Sequence, residues 1–84
     1  MARRHVPTLM VLNAIRLMRT PYEEDRRPRR NSVEILMAES GECEKVCYAA
    51  LHRDSDRGLL DYGVSIRWPW LTPKGQEMLE EEWQ

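Results

Sequence analysis

Phenylalanine is absent from this chain of 84 residues, and three Trp and three Tyr make up its whole aromatic content. The bulk of the core must therefore be aliphatic, because Trp and Tyr each carry a polar atom that needs a partner or water. Cysteine is scarce: Cys43 and Cys47, in a chain without secretory features, read as reduced thiols of a cytoplasmic protein. Four apart on one helical face, both are expected to be buried as small hydrophobes. The only histidines are His5 and His52, and a structural zinc wants four ligands at spacings that these residues do not offer. No metal or cofactor is expected. No apolar run approaches the ~20 residues that cross a bilayer, so no membrane partner is expected either. The opening Met1-Ala2-Arg3-Arg4-His5 leads into a segment broken by Asn13 and Arg16, an amphipathic helix rather than a signal peptide. A nucleophilic constellation is also missing. Ser55, His52, Asp54 and Asp56 crowd one stretch where neighbours one or two apart do not face each other, so no catalytic residue is assigned and an enzyme is not expected.

What is present is charge, unevenly spread. Residues 1–31 hold eight Arg against Glu23, Glu24 and Asp25, a balance of +5, whereas the remainder holds eleven acids against five bases, a balance of −6. A domain polarised in this way can offer a basic face to a polyanion. The hydrophobic fraction of 42% fits one folded domain spanning 1–84, of a size at which a single core barely suffices.

Periodicity and punctuation place four helices. Val11, Leu12, Ala14, Ile15 and Met18 recur at helical spacing over Pro7 to Arg19, with Asn13 and Arg16 opposite and Thr20-Pro21 as the stop. A polar loop over 21–31 carries Arg26-Arg27-Pro28-Arg29-Arg30, too charged for a core. Asn31 and Glu34 have the spacing of a capping box, opening a short helix with Val33, Leu36 and Met37 inward and Ser40-Gly41 as its end. A third helix is expected from about Cys43 to Arg57, with Val46, Cys47, Ala50 and Leu51 inward and Lys45, Tyr48, His52 and Arg53 outward. Leu59 to Arg67 alternates loosely as a strand, and Trp68-Pro69-Trp70 forms the tip or return of a hairpin because Pro lacks a donor. Of the two Trp, one is expected to be buried and one partly exposed. Thr72 and Pro73 supply the N-cap and first residue of a last helix whose apolar side is Met78, Leu79 and Trp83.

Helix, helix, tight turn, helix, hairpin, helix is the order of a winged helix-turn-helix, an α+β fold. Arg57-Gly58-Leu59-Leu60, a short hairpin and then Leu71-Thr72-Pro73-Lys74-Gly75 resemble the wing region of PadR- and MarR-like transcriptional regulators. That resemblance implies a regulator that binds double-stranded DNA with the third helix in the major groove. Base readers would be Lys45, Tyr48, Ala49, His52 and Arg53, and Arg67 would sit in the wing. Arg16, Arg19, Arg26, Arg27, Arg29 and Arg30 would meet phosphates, which dominate affinity. A homodimer is a further implied partner. Glu42 and Glu44 at the head of the third helix, and Asp54 where those families carry an apolar residue, depart from the pattern. The alternative reading is a protein-interaction module, of the kind carried by phages or mobile elements, that docks on a host protein through the acidic helix with Trp68 and Trp70 as anchors.

Overall fold

A computed structural model describes residues 6–19 and 30–82. The elements run α1 (Thr8–Arg19), α2 (Ser32–Ser40), α3 (Glu44–Asp56), β1 (Leu60–Asp61), β2 (Trp70–Leu71) and α4 (Pro73–Glu82). The class is α+β: four helices with one two-stranded antiparallel sheet, in which Leu60 faces Leu71 and Asp61 faces Trp70.

Local chemistry sets most of the helix boundaries. The Pro7 carbonyl accepts the first bonds of α1, from the Met10 and Val11 amides. Val11, Leu12, Ala14, Ile15 and Met18 are buried, as their spacing predicts. Asn13 departs from expectation: it too is buried, because the Arg16 guanidinium lies across it and donates twice to its Oδ1, at 3.1 and 2.7 Å. The capping box of α2 forms in full, with Asn31 Oδ1 accepting from the Glu34 amide and Glu34 Oε1 accepting from the Asn31 amide, both at 2.9 Å. Gly41 closes α2 at φ 75° and Gly58 follows α3 at φ 78°, left-handed positions that penalise any side chain. At the head of α4, Thr72 Oγ1 accepts from the Gly75 amide at 3.1 Å and donates to the Gly58 carbonyl at 2.6 Å. One hydroxyl thus caps α4 and ties it to the exit of α3.

Two adjoining aliphatic clusters form the core. The larger joins Val11, Ile15, Val33, Leu36, Cys47, Leu51, Leu60 and Ile66; the smaller joins Leu12, Leu59 and Leu79, and Leu71 packs against both. Only one of the two thiols belongs to this core. Cys43 occupies the cap position of α3 and is exposed, whereas Cys47, one turn further on, is fully buried. Burial pushes the Cys47 thiol up from its ordinary pKa; the charges of Cys43 and Glu42 add to the rise and the Ser40 hydroxyl opposes it.

The long strand expected over 59–67 is cut short. Pairing stops after Asp61, and Val64, expected on a strand face, stands fully in solvent. Ser65 is the reason: its Oγ takes the Arg67 amide at 3.2 Å and its carbonyl takes the Trp68 amide at 3.1 Å, so both donors are used in a local turn. Pro69 has no donor to give. The start of α2 then seizes the acceptors, Ser32 donating from Oγ to the Ile66 carbonyl at 3.0 Å and from its amide to the Arg67 carbonyl at 2.9 Å. Residues 62–69 are thus a connection pinned to α2.

Candidate nucleic-acid interface

That pin brings distant basic residues to one place. Ser32 bonds the carbonyls of residues 66 and 67 and so fixes this turn against the start of α2. Arg19, the last residue of α1, reaches the next two residues, donating to the Pro69 carbonyl at 3.0 Å and the Trp68 carbonyl at 3.4 Å. Arg67 belongs to the turn itself. Two arginines, one ending α1 and one on the hairpin return, therefore meet at residues 66–69, although they are separated widely in sequence. Arg26, Arg27 and Arg29 lie outside the described residues. Arg30 is exposed and spends one nitrogen on the Glu34 carbonyl at 3.4 Å.

The outward side of α3 carries two adjacent stripes. Glu44, Tyr48 and His52, four apart, form one, and it is overlaid by the hairpin connection. Arg67 Nη2 lies 3.3 Å from Glu44 Oε2, and its guanidinium carbon is 5.4 Å from the centre of the Tyr48 ring. Tyr62 meets His52 edge to face, their centroids 6.3 Å apart. Lys45 and Ala49 form the second stripe; both are exposed, and His52 borders it.

Arg53 spends its guanidinium within the fold. Its guanidinium grips Asp54 through Nε at 3.1 Å and Nη2 at 2.9 Å, and Nη2 also donates to the Val6 carbonyl at 2.8 Å. Asp54 has no exposed surface, which answers the departure seen in the sequence. Its Oδ1 further accepts from Thr8 Oγ1 at 3.0 Å and lies 3.5 Å from Arg57 Nη1. A buried carboxylate replaces an apolar plug here because four donor groups surround it. Arg53 is a structural clamp between the end of α3 and the start of α1. Arg16, held over Asn13, lies on the same side of α1 as Arg19, three residues on.

Trp68 and Trp70 also correct the expectation of one buried ring. They are 44% and 43% exposed, and Pro69 between them is the buried member of the triplet. Sequence reasoning missed both the convergence on residues 66–69 and the Glu44–Arg67 pair. Neither has a local signal, since each depends on how the hairpin returns over α2 and α3.

Among the described residues, no cluster of three or more His, Cys, Asp or Glu is arranged to hold a metal ion, and no helix is long and apolar enough to cross a membrane. No protein-family model matches the chain, and neither curated proteins nor solved structures yield a match.

Proposed function

We propose that this chain is a small double-stranded-DNA-binding domain of the winged helix-turn-helix kind, acting in transcriptional regulation. In this reading α3 enters the major groove, and the 62–69 connection is the wing that follows the backbone. The observation that carries it is the meeting of Arg19 and Arg67 at one turn beside exposed Trp68 and next to the outward face of α3. Cations gathered next to an outward helix face are what phosphate contacts require, and Lys45 and Ala49 leave that face open. Lys45 suits guanine edges and Ala49 a thymine methyl.

A labelled mixed-sequence duplex, titrated at a series of salt concentrations, tests the proposal. Binding should weaken linearly in log–log form, and Arg67→Ala or Arg19→Ala should each flatten the slope by about one. Lys45→Ala should reduce discrimination among sequences instead. A duplex left unbound at low ionic strength would contradict the reading. A second reading then gains: Trp68, Trp70 and Val64 present exposed apolar surface on one hairpin, the composition of a protein-docking anchor.

A further inference from the structure

We infer that Glu44 competes with a DNA phosphate for Arg67, so that the chain carries a built-in brake on its affinity for the duplex backbone. The inference rests on the DNA-binding reading above and concerns one ion pair within that face. Arg67 is fixed through its main chain on two sides, its amide on Ser65 Oγ at 3.2 Å and its carbonyl on the Ser32 amide at 2.9 Å. Only its side chain is free to choose a partner. That side chain rests on the Tyr48 ring and points one nitrogen at Glu44 Oε2, 3.3 Å away. The pair faces water, with 39% of the Arg67 side chain and 57% of the Glu44 side chain exposed.

These features set the order of preference. An exposed ion pair is worth at most about a fivefold change in an equilibrium, so an incoming anion can displace Glu44. A phosphate offers two oxygens to the planar guanidinium and gains from counterion release, which a carboxylate already in the chain does not. Tyr48 keeps the guanidinium in place whichever anion holds it. In the absence of a well-seated duplex, Glu44 occupies Arg67 and its own charge repels a loosely placed backbone. When α3 is seated, the phosphate takes the arginine and Glu44 is released to solvent. The acid that sits awkwardly at the head of a DNA-facing helix thus acquires a use: it lowers affinity for any backbone and leaves the contribution of correct base contacts unchanged.

A double-mutant cycle on the full chain decides the matter, with one random-sequence duplex as probe and anisotropy as readout. Glu44→Gln keeps the size and hydrogen-bonding ability of the exposed side chain, and should tighten binding by about fivefold at low salt. It should also steepen the salt slope, by up to about one ion. In an Arg67→Ala background the same substitution should change affinity by less than about twofold, the residue of its general charge. An equal gain in both backgrounds would overturn the inference while leaving DNA binding intact, because Glu44 would then act only as one more negative charge. Failure of the native chain to bind the duplex at all would overturn the DNA reading, and this inference with it.

Discussion

Gly75→Ala should lower the melting temperature by roughly 8 to 16 °C, as followed by far-ultraviolet circular dichroism. The sign is the reverse of what a helix normally returns. Within a helix, Ala is favoured over Gly by about 1 kcal/mol, so a substitution made on propensity alone would stabilise α4. At this position there is no room. A Cβ on Gly75 would overlap the Leu59 carbonyl oxygen and lie 2.8 Å from the carbonyl carbon and 3.2 Å from Cα. The obstacle is backbone rather than a side chain that can rotate away. Leu59 itself is anchored, its amide to the Asp54 carbonyl at 3.0 Å and its carbonyl to the Thr72 amide at 3.3 Å. Relief requires α4 to lift from the β1 approach, opening the Leu12–Leu59–Leu79 cluster. A cost of about 3 kcal/mol, the upper end for overpacking, outweighs the propensity gain. A melting temperature equal to or above that of the native chain would show that α4 is not held this closely.

Asp54→Ala should cost about 2–3 kcal/mol in denaturant unfolding: the charge-assisted bonds to the buried carboxylate are lost, while Arg53 and Arg57 keep access to water. The carboxylate is the point where two segments meet. Arg53 and Arg57 belong to α3 and its exit, Thr8 opens α1, and Arg53 carries the contact on to the Val6 carbonyl. Its removal leaves the Thr8 hydroxyl short of an acceptor and sets two guanidinium groups beside a small void. Thr8→Val, which removes one hydroxyl, should cost only about 1 kcal/mol. The contrast between the two variants measures the charge network apart from the single bond. An Asp54→Ala variant as stable as the native chain would mean that Arg53 and Arg57 find other partners at no cost.

The helices were legible because their signals are local. Periodic aliphatics set α1, the Asn31–Glu34 pair set α2, and Thr72-Pro73 set α4; each depends on residues within two turns of one another. The exit of α3 was legible for the same reason, since Gly58 must take a left-handed backbone. The hairpin was not. Alternation of Leu60, Tyr62, Val64 and Ile66 imitates a strand, but Ser65 and Ser32 take the hydrogen bonds that a strand would need. Ser32 lies more than thirty residues away in sequence, and no local pattern announces it. The Arg53–Asp54 contact was hidden for a related reason. The position of Arg53 on α3 is outward by spacing, yet a flexible side chain folds back over the turn once a buried carboxylate stands next to it. Trp68 and Trp70 show the limit of composition alone: large rings suggest a core, but the core was already closed by Pro69, Ile66 and Leu71.

In the proposed reading the outward face of α3 and the 66–69 turn meet DNA together, while the exposed acids of α4 stay clear of the phosphates. Amide chemical-shift mapping of the isotope-labelled chain against a short duplex tests it most directly. The account predicts that shifts concentrate at Lys45, Ala49, His52 and residues 66–69, with exposed Glu77, Glu80 and Glu81 unchanged. Shifts centred on α4, or none at a duplex concentration far above that of the protein, would contradict it.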